Sequence, residues 1–225
     1  MTTELEKHLN GRLIVPIEYF GEPNDLVTVI QDFLDADHLT LAYEYAQTAD
    51  KDYAGGPNGN LKDRVHTSEK FKQDNAGLYQ LFKANYCSEI KNLLEEKHGL
   101  ELTGSNCTDL HKSLSENKED RLEHLKLSAS CGCKSEINPF IVAWTAGTNQ
   151  KEHTDNSNDF TAIIYLNDDY VGGELNFPSL ELSIKPVKGS LIIWPGKITH
   201  SISTVVSGTR YTMPIFFKAI SILDK

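Results

Sequence analysis

Basic residues, cysteines and long apolar runs are all scarce in this chain. Its 225 residues hold 22 Lys+Arg against 32 Asp+Glu, a formal net charge of −10. An acid excess of this size leaves no dominant basic surface, so nucleic-acid phosphate is a poor partner and solubility is the simplest consequence. No run approaches the roughly 20 apolar residues of a membrane-spanning helix. The opening residues, Met1-Thr2-Thr3-Glu4-Leu5-Glu6-Lys7, show no apolar signal-peptide segment. These absences point to a soluble, intracellular protein in a reducing compartment. The four cysteines, Cys87, Cys107, Cys131 and Cys133, are too few and too irregularly spaced for a disulfide framework. Cys131-Gly132-Cys133 could be half of a zinc site, but no second close pair completes it. Cys87 falls in a helical pattern and reads as a small buried hydrophobe.

What is present divides into two textures. The length suits one domain with a core that needs no cross-links. Residues 1–135 carry helical periodicity and polar loops. Leu26–Ile30 reads as a short strand, and Asp37 as the N-cap of a helix through Leu41, Tyr45 and Ala46. Residues 50–68, rich in Gly, Asn and Pro, read as a loop without a regular element. Leu78, Leu81, Phe82, Tyr86, Ile90, Leu93 and Leu94 recur at three- and four-residue spacing, an apolar stripe that predicts a supporting helix ended by Gly99. Residues 103–136 are polar and read as an insertion or lid, with a short helix around Arg121–Leu127.

Residues 136–219 read as short strands between turn signals. Phe140–Trp144 is strand-like, and Thr161–Leu166 is a continuous apolar run expected to be buried on both faces. Glu174–Phe177, Glu181–Lys185, Ser190–Trp194, Ser201–Val206 and Arg210–Phe217 follow, separated by Pro178, Pro186, Gly189, Pro195-Gly196 and Ser207-Gly208. The pattern predicts an α+β, mainly β fold: a sandwich, barrel or jelly roll with supporting N-terminal helices.

His153, Asp155 and His200 stand out within that strand-rich half. On an extended segment, side chains two apart share a face, so an imidazole and a carboxylate converge. A jelly roll can bring the start of a distant strand, where His200 falls, to the same point. Two histidines and one carboxylate suit a non-haem Fe(II) ion and leave coordination positions open. Arg210 follows shortly after, and a buried guanidinium needs an anionic partner, such as the far carboxylate of 2-oxoglutarate. Tyr165, inside the apolar run, needs a partner for its hydroxyl if it points inward. His8, His38, His66, His98, His111 and His124 lie in the half without strand alternation and are given no role.

These residues sit in segments that resemble the Fe(II)/2-oxoglutarate-dependent dioxygenase superfamily, in its prolyl 4-hydroxylase-like branch. The segments are W-T-A-G-T-N-Q-K-E-H-T-D (144–155), Y-L-N-D-D-Y-V-G-G-E-L-N-F-P (165–178), K-P-V-K-G-S-L-I-I-W (185–194) and H-S-I-S-T-V-V-S-G-T-R-Y (200–211). The resemblance implies a distorted double-stranded β-helix, with a jelly-roll core at 136–219 in a single domain spanning the chain. It implies Fe(II) on His153, Asp155 and His200, and 2-oxoglutarate held by Arg210 with help from Tyr165; ascorbate is a possible addition. Trp144 joins the cofactor-binding set where the family usually has tyrosine, and its lack of a hydroxyl alters a hydrogen bond there. Gln150 replaces a frequent aromatic and Thr204 a frequent proline. Arg64–Ser68 resembles a substrate-side segment of the same branch. The implied activity is hydroxylation of prolyl residues in a peptide or protein, releasing succinate and CO2. The same chemistry on a free amino acid or other small molecule, and a non-catalytic cupin-like binder, are the alternatives. The sequence sets no oligomeric state.

Overall fold

The computed structural model describes residues 14–18, 23–49, 52–53, 64–104 and 136–220. Cys107, Cys131, Cys133, the helix expected at Arg121–Leu127, and most of the loops at 50–68 and 103–136 lie outside these residues. The first half supplies β1 (Ile14–Glu18), β2 (Pro23–Ile30), α1 (Ala36–Thr48), β3 (Asp52–Tyr53), β4 (Arg64–His66), α2 (Ser68–Asp74), α3 (Ala76–Leu81), α4 (Ser88–His98) and β5 (Glu101–Gly104). The second half supplies β6 (Ile141–Thr145), β7 (Gln150–His153), β8 (Phe160–Tyr165), β9 (Val171–Gly172), β10 (Leu175–Phe177), β11 (Leu182–Ile184), β12 (Leu191–Pro195), β13 (His200–Ile202), β14 (Val205–Ser207) and β15 (Thr209–Ile220).

The larger sheet runs β1-β2-β12-β8-β15-β6-β4-β3, with β5 paired to the far part of β15. A four-stranded sheet, β11-β10-β13-β7, shares a core with it, and β9 pairs with β14. This is the jelly roll that the strand spacing predicts.

Alternation along the central strands sorts side chains between two cores. In β8, Phe160, Ala162 and Ile164 join the helix-side core, while Ile163 and Tyr165 join the core between the sheets. In β12, Leu191 and Ile193 go to the helices, Ile192 and Trp194 to the inter-sheet side. Every residue of β8 is buried, which is why that segment reads as unbroken apolar sequence rather than as an alternating pattern. The helix-side core takes Ala42 and Ala46 from α1, Phe71 from α2, and Ile90 and Leu94 from α4. The inter-sheet core takes Leu175, Phe177 and Ile202 from the smaller sheet.

Local details depart from the sequence reading in four places. Asp35, not Asp37, caps α1: its carboxylate accepts from the backbone N–H of Asp37 (2.9 Å) and His38 (3.4 Å). Asp37 instead sits in the first turn, where a carboxylate still favours the helix dipole. The stretch at 50–68 does hold regular structure: β3 and β4 extend the large sheet, β4 by pairing with β6, and Ser68 opens α2. Main-chain pairing to an existing strand needs no side-chain pattern of its own, so composition could not show it. The stripe from Leu78 to Leu94 is not one α-helix. A π-helical turn, Phe82–Cys87, joins α3 to α4, and around it Phe82, Tyr86, Cys87, Ile90 and Leu94 are all buried. Burial there raises the Cys87 thiol to about 12, as expected of an inert core cysteine. Ser201–Val206 is two strands, β13 and β14, because the chain leaves the smaller sheet to pair with β9. Gly99 does end α4, at φ 66°, its N–H donating to Glu95 O.

Ile164 is fully buried in β8, between β12 and β15. Ile164→Ala is expected to lower unfolding free energy by about 2–5 kcal/mol in urea denaturation; a change below about 1 kcal/mol would contradict its place in the core.

Candidate metal centre and anion pocket

The smaller sheet brings two of the three expected ligands together directly. His200 opens β13, His153 ends β7, and the two are cross-strand partners. Between that pair and Ile202–Gln150, β7 contains one more residue than β13, a bulge that re-aims the end of β7. Asp155 lies just past β7, so the ligand segment is only partly strand. Its backbone N–H donates to Gly196 O (2.8 Å), which anchors it to the turn after β12. Gly196 is required by close approach: a Cβ there would lie 2.3 Å from Asn158 O and 2.7 Å from Asp155 O. The Pro195-Gly196 breaker in the sequence therefore also locates a ligand.

The three donor groups lie within 4.8 Å of one another. His153 Nε2 is 3.7 Å from Asp155 Oδ1, and His200 Nε2 is 3.5 Å from Asp155 Oδ2. Each histidine uses Nδ1 against a carbonyl two residues earlier, Lys151 O for His153 and Ile198 O for His200, both at 2.9 Å. A carbonyl can only accept, so Nδ1 carries the proton and Nε2 presents a lone pair to the cluster. Burial beside Trp194 and Phe177 lowers the His200 pKa, which favours the neutral ring a metal requires. Thr161 Oγ1 donates to Asp155 Oδ2 at 2.7 Å.

Arg210 is fully buried, and it enters the inter-sheet space from β15 opposite Trp144 of β6. Its Nη2 donates to Tyr165 Oη at 3.1 Å. Its Nε and Nη1 have no hydrogen-bond partner. The guanidinium lies 5.6 Å from the Trp144 ring and 5.0 Å from the Tyr165 ring. Burial raises the Tyr165 pKa against the opposing pull of Arg210, so the phenol stays protonated. The hydroxyl accepts from Arg210 and keeps its own hydrogen to donate. Trp144 Nε1 is directed to Thr212 Oγ1 (3.4 Å). Trp144 therefore offers Arg210 a ring face, and its N–H is engaged elsewhere.

Sequence reasoning did not single out Thr161, Trp194, Tyr170 or Gly196. Thr161 had a signal: it is the one polar residue of the apolar run, two and four positions from Ile163 and Tyr165, and so on their face. Trp194 has a fully buried Nε1 with no partner and packs edge-on to His200 at 4.9 Å. Of the histidines given no role, His38 Nδ1 meets Tyr86 Oη at 2.7 Å and His98 stacks on Phe160. Both contacts are to core aromatics away from the cluster.

A jelly roll with a two-histidine, one-carboxylate cluster and a buried, only partly paired guanidinium around one inter-sheet core is an arrangement suited to holding a metal ion and an anion. Residues 140–218 match the family model of the 2OG-Fe(II) oxygenase superfamily. No curated protein matches the chain in sequence. Among solved structures, the fold is shared with the non-heme alpha-ketoglutarate-dependent epimerase SnoN from nogalamycin biosynthesis (12% identity, TM-score 0.56, covering 86% of this chain and 77% of that one). It is also shared with the truncated viral collagen prolyl hydroxylase of Paramecium Bursaria Chlorella virus-1 (14% identity, TM-score 0.53, 87% and 91%). A 2OG-Fe(II) oxygenase family oxidoreductase from Burkholderia pseudomallei aligns at 20% identity and TM-score 0.34; the match covers 44% of this chain and 55% of that one. Fe(II) and 2-oxoglutarate are the metal and cosubstrate of the superfamily. The residues present fit both: two imidazole nitrogens and a carboxylate oxygen suit Fe(II), and the unpaired guanidinium nitrogens suit a dicarboxylate. Among the described residues, no helix is long and apolar enough to cross a membrane.

Thr161→Val keeps the volume and removes the hydrogen bond to Asp155. Fe(II) affinity is expected to fall about 10-fold or more, measured by anaerobic metal competition, with little loss of folded secondary structure; unchanged affinity would show that the hydroxyl does not orient the carboxylate.

Proposed function

We propose that the protein is an Fe(II)- and 2-oxoglutarate-dependent dioxygenase that hydroxylates prolyl residues in a peptide or protein, with release of succinate and CO2. One oxygen atom of O2 goes into a substrate C–H bond and the other into succinate. The observation that carries the cosubstrate assignment is Arg210: fully buried, with Nε and Nη1 unpaired, in the core that also holds the histidine–aspartate cluster. A passive metal binder has no use for such a group, since an unpaired buried charge costs several kcal/mol.

In this reading His153, Asp155 and His200 hold the ferrous ion, and the bound metal and 2-oxoglutarate supply the oxidation chemistry. The protein's own contribution is placement. Arg210 and Tyr165 take the distal carboxylate and so fix the direction of the cosubstrate. Trp194 and Phe177, buried around His200, keep water from that side. No amino-acid general base is needed. Two features support the prolyl-peptide target: the fold shared with a collagen prolyl hydroxylase, and the position of the Arg64–His66 segment as a strand directly beside β6.

Two measurements test the proposal. Anaerobic addition of Fe(II) and 2-oxoglutarate is expected to give a visible metal-to-ligand charge-transfer band; its absence would favour the cupin-like binder. Arg210→Ala is expected to weaken 2-oxoglutarate binding by roughly 100-fold or more while leaving Fe(II) affinity within a few-fold; equal loss of both would contradict the assigned role. Succinate release across proline-containing peptides and free amino acids, followed by mass spectrometry for one added oxygen, then fixes the target. Turnover confined to free amino acids or other small molecules would replace the peptide reading.

A further inference from the structure

The anion pocket contains one more buried donor than the proposed cosubstrate contacts use. Tyr170 lies between Asn167-Asp168-Asp169 and Gly172-Gly173, and its ring is buried. Its hydroxyl has no hydrogen bond of normal geometry. Among the described residues, four buried side-chain polar atoms lack a hydrogen-bond partner, on three side chains: Arg210 accounts for two, Trp194 for one and Tyr170 for one.

Tyr170 and Arg210 share a wall. A Cβ on Gly173, which adopts φ 68°, would lie 3.0 Å from Arg210 Cδ and 3.1 Å from Tyr170 Cε2. Glycine is therefore needed for the guanidinium stem and the phenol ring to rest on the same backbone. Lys185 fixes the ring from another direction: its ammonium sits 3.6 Å from the ring centroid and donates to Tyr170 O (3.1 Å) and Gly172 O (2.7 Å). The ring is thus clamped, so the hydroxyl has a set position. Burial, the largest influence, raises the pKa of that hydroxyl to about 12 against the charge and close polar approach of the Arg210 guanidinium, which is near it but not aligned for a hydrogen bond of normal geometry, so it remains a donor.

We infer that Tyr170 is a second cosubstrate-binding tyrosine, donating its hydroxyl hydrogen to the distal carboxylate of 2-oxoglutarate beside Arg210 and Tyr165. This rests on the proposed function and deepens it. A carboxylate has about four acceptor sites. Arg210 presents two unpaired nitrogens, and the two phenols supply neutral donors for the remainder. Such a pocket rewards a full negative charge at the far end of the cosubstrate and penalises any 2-oxo acid that lacks it, because these four donors are then left buried and unpaired.

The test compares the unaltered protein with Tyr170→Phe, which keeps the ring against Lys185 and removes only the hydroxyl. Anaerobic titrations follow the charge-transfer band with 2-oxoglutarate and with 2-oxopentanoate, which chelates in the same way without a distal carboxylate. Tyr170→Phe is expected to raise the Kd for 2-oxoglutarate about 10-fold or more, leave Fe(II) affinity unchanged, and leave 2-oxopentanoate binding unchanged. An unchanged Kd for 2-oxoglutarate overturns the inference, as does an equal loss for both ligands, which would mark Tyr170 as packing only. If the unaltered protein gives no band, the proposed function itself has failed, and the two failures are distinguishable. Should the variant not fold, a crystal structure of the unaltered protein with Fe(II) and 2-oxoglutarate decides: Tyr170 Oη within about 3 Å of a distal carboxylate oxygen supports the assignment, and a separation beyond about 4 Å overturns it.

Discussion

A fully buried guanidinium with a single hydrogen bond from the protein sets the terms for the rest of this molecule. Moving such a charge out of water costs several kcal/mol even after relaxation. The fold offsets part of that cost. Trp144 and Tyr165 turn ring faces toward the guanidinium, and Tyr165 Oη accepts from Nη2. Nε and Nη1 have no partner in the protein. β15 pairs with β6 at Arg210 itself and with β8 from Thr212 onward, which holds the backbone beneath the guanidinium in place. Asn167 adds a further restraint: it donates to Asp169 Oδ1 and Thr209 O and accepts from Tyr211 N, tying the turn after β8 to the residues flanking Arg210.

The metal cluster depends on a different device. Cross-strand pairing sets His153 opposite His200, a bulge aims the first of them, and one glycine lets the aspartate segment lie against the end of β12. Glu174 plays a supporting part. Its carboxylate accepts from Ser203 Oγ, which lowers its pKa, and its backbone N–H donates back to the same oxygen. That clip joins the residue just before β10 to the residue just after β13, the strand that begins with His200. The acidic residue in G-G-E is thus part of the scaffold around the ligands.

What could be read from the sequence follows from which constraints are local. The apolar run Thr161–Leu166, the stripe Leu78–Leu94 and the turn glycines are local signals, and each marks a real element. His153, Asp155 and His200 were legible because their residue types and order carry chemistry that few other patterns need. The π-helical turn was not legible, since an inserted residue changes the phase of a stripe without changing its composition. The strands at Asp52–Tyr53 and Arg64–His66 are made by partners far away in the chain. Tyr170 was hidden for a similar reason: beside two glycines it reads as turn sequence, and only the folded backbone shows it against Arg210.

The two halves of the site are joined by β8. Thr161 holds the ligand aspartate, and Tyr165 holds the guanidinium; both point into the inter-sheet space, with Ile163 between them. Four residues of extended chain measure roughly 13 Å between those backbone positions, and the side chains close in from each end. β8 is buried throughout and paired along its length to β12 and β15, so this separation is as rigid as any in the protein. A slip of one residue would turn Phe160, Ala162 and Ile164 inward and send Thr161 and Tyr165 into the helix-side core, where neither hydroxyl would have a partner. The register that buries the apolar side chains correctly is therefore the same register that sets the distance from the histidine–aspartate cluster to the guanidinium, so the packing of the core and the span of the candidate site depend on one strand.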